Sequence, residues 1–182
     1  RDFETMVAEN DRLVEMLHAE VGLGRRTADD ARIERYRKLF AFAEADAAHA
    51  AGAAELHRRL YMQARREVPG ATALLAALQG TVTIAVVTNN TVAEQTEKLE
   101  AFGLAPFVDA LVTSEEVGVA KPDGAIFARA LDRCGCTADA AVMVGDSWLD
   151  GLAAMRASVP FVGFRPRPEI LDERGVAYWA IV

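Results

Sequence analysis

The sequence predicts an α/β protein, a doubly wound parallel-sheet (Rossmann-like) core preceded by a small all-helical domain. Three observations lead there. Helical periodicity fills residues 1–68 without a strand-length apolar run. From Pro69-Gly70 onward, short apolar runs alternate with amphipathic helices, the pattern of parallel strands joined by crossovers. Polar side chains gather where those apolar runs end, the edge at which open α/β sheets bind ligands.

In the first segment, Phe3, Val7, Val14, Leu17 and Val21 recur on one face of a first helix, and Gly22 to Gly24 supply a break. Thr27 with Asp30 reads as a capping pair opening a second helix that carries Ile33, Tyr36, Leu39, Phe40 and Phe42. A third helix carries Leu56, Leu60 and Tyr61, and the alanine-rich stretch Ala41 to Ala54 reads as helix. Residues 69–182 form the second domain. Its expected strands are 82–87, 108–112, 141–144, 160–164 and 177–182, with helices near 71–79, 91–102, 123–134, 148–157 and 168–174.

A chain of 182 residues, 52% of them hydrophobic, can bury a substantial core. The formal net charge of -7 argues against general attraction to nucleic acid or acidic lipid, so an anionic substrate needs local cations or a metal. No run approaches the roughly 20 apolar residues of a membrane-spanning helix, and Arg1 to Met6 shows no secretory pattern. The expectation is a cytoplasmic protein. Cys134 and Cys136, in Cys-Gly-Cys, are too close for an unstrained disulfide and read as ordinary thiols at a helix end. His18, His49 and His57 lack metal-ligand spacing and read as surface or packing residues.

Three strand ends carry chemistry. At Val87-Thr88-Asn89-Asn90-Thr91, a buried strand stops in hydroxyl and amide groups and a helix begins, with Thr91 and Glu94 as a capping box. Such a helix start favours an anion beside Thr88 and Asn89; the plainer reading is a well-capped turn. Lys121 precedes Pro122, which fixes the start of a helix, and its ammonium suits a phosphoryl oxygen or simply solvent. The third end is Gly145-Asp146-Ser147-Trp148-Leu149-Asp150. One helical turn separates its aspartates, so both can face one point, and hard oxygen ligands suit magnesium. Ser147 and Asp150 also read as a helix cap, and the two roles can coexist.

In this order the three ends resemble the haloacid dehalogenase superfamily of phosphatases and related hydrolases. Thr88 matches its second motif, Lys121 its third and Gly-Asp-Ser-x-x-Asp its fourth, and Lys-Pro-x-x-x-Ile-Phe at 121–127 adds a family-like detail. The helical segment 1–68 resembles the cap that many members carry. The resemblance implies magnesium-dependent hydrolysis of a small phosphate monoester through an aspartyl-phosphate. Thr88, Asn89 and Lys121 would hold the phosphoryl group, Asp146 would bind Mg2+, and Asp150 would bind it through water or position Lys121.

The family's first motif, Asp-x-Asp at a strand end, supplies the nucleophile and the general acid, and residues 1–68 contain no such segment; Asp2-Phe3-Glu4-Thr5 does not fit it. The expectation is that this motif lies upstream of Arg1, that the 182-residue chain alone is inactive, and that the carboxyl end is short of a closing helix. The alternatives are a phosphosugar mutase of the same fold and a catalytically inactive phosphoryl-binding module. Dehalogenation is disfavoured by the cation-site motif. The expected partner is a small phosphorylated metabolite, without nucleic acid or membrane, the protein being a monomer or homodimer. Arg32, Tyr36, Arg37, Tyr61, Arg165 and Arg167 are candidates for substrate contact.

Overall fold

A computed structural model describes residues 2–22, 25–165 and 168–182. Arg167, and Leu23 and Gly24 of the expected break, lie outside the described residues. The chain forms two compact units, Arg1–Val68 and Pro69–Val182.

The first unit is helical: α1 (Phe3–Gly22), α2 (Ala28–Phe42) and α3 (Ala50–Ala64), with a 3-10 turn at Ala47–His49 before α3. Thr27 caps α2 as expected, its hydroxyl accepting from the Asp30 amide at 3.1 Å and donating to the Asp30 carboxylate at 2.7 Å. Helix α2 packs against both α1 and α3. The expected stripe on α1 holds at Leu17 and needs correction at its start: Phe3 and Val7 are 80% and 41% exposed, and among the described residues the buried ones are Leu13 and Leu17, one turn apart. Apolar spacing marks a face, but only a neighbour buries it, and α2, at 15 residues against 20, is about 7.5 Å shorter at 1.5 Å per residue. On α3 the alanines Ala50 and Ala54 are buried while Leu56, Leu60 and Tyr61 remain exposed.

The second unit runs α4 (Ala71–Leu78), β1 (Ala85–Thr88), α5 (Val92–Ala101), β2 (Ala110–Thr113), α6 (Ser114–Val117), α7 (Ala125–Cys134), β3 (Met143–Gly145), α8 (Trp148–Arg156), β4 (Phe161–Gly163), α9 (Pro168–Glu173) and β5 (Ala180–Ile181). Among the described residues all strand pairing is parallel. β1 pairs with β2 in the register Ala85↔Ala110 to Thr88↔Thr113, and β4 lies between β3 and β5. The expected single doubly wound sheet is therefore corrected: among the described residues the strands form two sheets, β1-β2 and β3-β4-β5, because no ladder joins β1 to β3. Strands are also shorter than their apolar runs, since backbone pairing, not hydrophobicity, sets their length.

The core of this unit gathers Val112 of β2, Ile126 and Phe127 of α7, Ala153 and Ala154 of α8, Phe161 of β4 and Leu171 of α9. Each large apolar side chain buried here contributes about 1.5–3 kcal/mol relative to exposure. Gly151 lets α8 lie close: a Cβ there would stand 2.3 Å from Val176 Cγ1 and 2.9 Å from the Phe161 ring. Cys134 and Cys136 are free thiols flanking Gly135, whose φ of 63° ends α7 in the left-handed conformation. Burial, then Cys136 and Asp109, push the Cys134 thiol pKa up, which lowers its thiolate fraction.

Candidate active site

The carboxyl ends of β1 and β3 meet through Lys121. Its Nζ donates to the Val87 carbonyl at 2.9 Å and to Asp150 Oδ1 at 2.6 Å, and both charged side chains are nearly buried, 11% and 7% exposed. A lysine ammonium has three N–H donors. Two are used, and among the described residues the third has no acceptor.

Asn89 positions the lysine's backbone. Its Oδ1 accepts from the Lys121 amide at 2.7 Å and its Nδ2 donates to the Lys121 carbonyl at 2.9 Å. This pair of bonds clamps the loop before the cis Lys121-Pro122 peptide across 32 residues of sequence, so nothing local announces it. Asn89 thus holds the lysine loop, a task that sequence reasoning missed. Sequence placed it on the phosphate.

Thr88 and Thr113 end paired strands side by side. Thr113 is fully buried and caps α6, its Oγ1 accepting from the Glu116 amide at 3.2 Å. Thr88 is half-buried, and among the described residues its hydroxyl has no partner. Immediately beyond, Asn90 Oδ1 accepts from the Thr91 amide and Thr91 caps α5 through the Glu94 amide at 3.2 Å. The strand ends therefore offer, in sequence order, an open hydroxyl, a helix start and an open ammonium N–H.

Asp150 sits in the first turn of α8, where Ser147 and Asp150 form a reciprocal capping box. Its Oδ2 accepts from the Ser147 amide at 3.2 Å, so one oxygen serves the cap and the other the lysine. Gly145 makes this approach possible, because a Cβ there would lie 2.6 Å from Asp150 Oδ2. Asp146, by contrast, is exposed, and no described group donates to it. Among the described residues no cluster of three or more histidine, cysteine, aspartate or glutamate side chains could hold a metal. Magnesium does not require one: it commonly takes one or two carboxylates and fills its other positions with water and phosphate oxygens. Asp146, being exposed, is open to such an ion, while Asp150 already bonds Lys121 through one oxygen and the Ser147 amide through the other, with lone pairs left for a metal-bound water.

Of the other candidates, Arg32 pairs with Asp29 at 2.6 Å and Arg37 with Glu34 at 2.9 Å, both on α2. Tyr36 and Tyr61 both contact the His57 ring. Arg165 is exposed, lies over the Phe164 ring at 5.4 Å and donates its amide to the Val182 carbonyl.

A haloacid dehalogenase-like hydrolase family model matches residues 2–158. The chain belongs to that family. It is 47% identical over 81 residues to pyrimidine 5'-nucleotidase YjjG of Escherichia coli, a match covering 44% of this chain and 36% of that protein. It is 41% identical over 98 residues to ribulose-1,5-bisphosphate 5-phosphatase of Halopiger xanaduensis, covering 53% and 41%. With phosphoglycolate phosphatase of Agrobacterium fabrum the identity is 32% over 116 residues, covering 59% and 50%. The chain thus spans half or less of the length of these curated relatives. Among solved structures, the magnesium-bound hydrolase YfnB of Bacillus subtilis superposes with a TM-score of 0.75 at 22% identity, covering 100% of this chain and 80% of that one. A 2-haloacid dehalogenase from Pseudomonas syringae superposes at 0.59, also at 22% identity, covering 100% and 76%. No helix among the described residues is long and apolar enough to cross a membrane.

Proposed function

We propose that this chain carries the phosphate-holding and magnesium-holding half of a phosphatase acting on a small phosphate monoester. One observation carries the reading: Lys121 Nζ is fixed by Asp150 and by the carbonyl of Val87, the residue just before Thr88, and among the described residues one lysine N–H and the Thr88 hydroxyl are left open. Hydrogen bonding to two acceptors removes the rotational freedom that a solvated lysine would lose on binding, so the remaining donor is pre-aimed. Thr88 donates to a phosphoryl oxygen, Lys121 neutralises its charge, and Asn89 keeps the lysine loop in register. Asp146 holds Mg2+ and Asp150 positions Lys121. Magnesium, when bound, supplies charge stabilisation to the phosphoryl oxygens. The relatives named above act on a nucleotide, a sugar bisphosphate and phosphoglycolate, which share a small phosphorylated metabolite as substrate. Helical residues 1–68 take the role of a specificity cap.

A second reading has its own observation. Thr88 and Lys121 offer donors and charge rather than a nucleophile, which is all that a phosphoryl-binding module without turnover requires. A phosphosugar mutase would share the same motifs. The three are separated by assaying the full-length gene product with an aryl phosphate and with sugar phosphates. Magnesium-dependent hydrolysis abolished by chelator supports the phosphatase, and phosphate binding with no turnover of any ester supports the module. Hydrolysis undiminished in chelator contradicts the assignment of Asp146.

A further inference from the structure

The helical unit contains a group of side chains that the strand-end site does not use. Arg35 of α2 donates from Nη2 to His57 Nδ1 of α3 at 3.1 Å, and its guanidinium lies over the Tyr36 ring at 5.0 Å. The rings continue from there: Tyr36 meets Phe40 edge-on at 6.2 Å and His57 at 5.9 Å, and His57 stacks on Tyr61 at 6.3 Å with 20° between planes. Among the described residues no carboxylate pairs with Arg35, and its Nε is buried without an acceptor.

This is an unusual state for an arginine in a folded domain. The α2 arginines on either side, Arg32 and Arg37, each hold a carboxylate. Arg35 instead donates to an imidazole, which accepts only while neutral. The bond to Nδ1 therefore puts the His57 proton on Nε2, where it is a second donor. His57 is exposed and Arg35 half-buried, so an incoming group can reach the pair from solvent. Partial burial, then Arg35 and Arg32, hold the His57 pKa below its ordinary value. His18 of α1 is lowered by the same causes. Positive charge is in local excess, and what the constellation lacks is an anion.

We propose that Arg35 and His57, backed by the Tyr36 and Tyr61 rings, form an oxyanion-binding site for the phosphate or carboxylate group of a small metabolite. The planar guanidinium suits either group, and the ring wall accepts a flat or apolar body attached to it. The site stands on the helical unit alone and does not depend on the chemistry proposed at the strand ends.

The test is imidazole and guanidinium NMR of the 182-residue chain titrated with inorganic phosphate and, separately, with malonate, using sodium chloride at matched ionic strength as control. The expected result is a saturable shift of the His57 ring resonances with at least one of the two anions. The one that binds more tightly names the group. In Arg35→Gln the midpoint should rise at least tenfold, whereas Arg129→Gln, in the other unit, should leave it unchanged. If Arg35→Gln fails to fold, the Arg35 side-chain nitrogens of the unmodified chain decide, since they must move with the anion. No saturable shift with either anion, an equal shift with chloride, an unmoved Arg35, or a midpoint unaffected by Arg35→Gln would each overturn the proposal.

Discussion

Asp146 and Asp150 are one turn apart, identical in type, and placed in opposite environments. Asp150 is enclosed and bonded at both oxygens; Asp146 is exposed and open. Their substitutions should therefore separate stability from activity. Asp150→Asn leaves Lys121 nearly buried without its counter-charge and should cost about 3–5 kcal/mol in urea denaturation. Asp146→Asn should change stability by less than about 0.5 kcal/mol. In the full-length gene product it should lower magnesium-dependent turnover about a hundredfold or more. An Asp150→Asn chain as stable as its parent would show the buried pair to be dispensable. At this scale the sequence was informative about residue types and blind to their partners. The spacing of Gly145, Asp146 and Asp150 pointed to a site, but which aspartate stays open depends on Lys121, 29 residues away. Thr88 and Thr113 make the same point, since both end strands and only one spends its hydroxyl on a cap. Arg35 had no signal at all, being one charge among several on α2.

At the scale of elements, helix starts were the most legible feature because they are local chemistry. Thr27, Thr91 and Ser147 all cap the helices that their spacing implies, the reciprocal box being complete at Ser147 and Asp150, whereas at Thr91 it is the threonine hydroxyl that accepts from the Glu94 amide. Burial was less legible, because it depends on neighbours that periodicity does not name, and Phe3 and Val7 are apolar yet exposed. Gly151 is a close-packing position inside a helix, where glycine alone costs about 1 kcal/mol against alanine. Gly151→Ala should nevertheless destabilise, by about 1–3 kcal/mol, because the new methyl meets Val176 and Phe161. Val176→Ala in the same chain should recover part of that loss in thermal unfolding; a merely additive double variant would place the strain elsewhere. In the helical unit, crowding by the surrounding helices, then Arg35 and Arg32, lower the His18 pKa, although its edge reaches the surface. The unfolded chain then binds the proton more readily than the folded one. Stability should therefore be fully present above the ordinary imidazole value of about 6.5 and decline as pH falls through it, levelling off below the folded pKa. His18→Gln should flatten that slope in denaturation curves taken across this range.

For the whole molecule, alternating strands and helices announced an α/β fold with parallel pairing, but not the division into two sheets. Strand order is a non-local property that no apolar run encodes. The division has a physical consequence at β3. Parallel strands are normally covered on both faces, yet Val144 on β3 and Val142 just before it, two residues apart and so on one face, are 54% and 52% exposed. Val82, ahead of β1, is 50% exposed. Unpaired strand edges beside exposed β-branched side chains favour pairing between chains. The 182-residue chain should therefore associate reversibly with concentration in sedimentation velocity. Val142→Thr with Val144→Thr keeps the branched shape and strand preference while adding hydroxyls, so it should shift the distribution toward monomer. Because both side chains are already in contact with water, stability should change by less than about 0.5 kcal/mol per site. Association unaltered by the double substitution would assign it to another surface, such as the exposed Trp179 and Val182 near β5. A parent chain that stays monomeric at high concentration would show that the open face of β3 is tolerated in water as it stands.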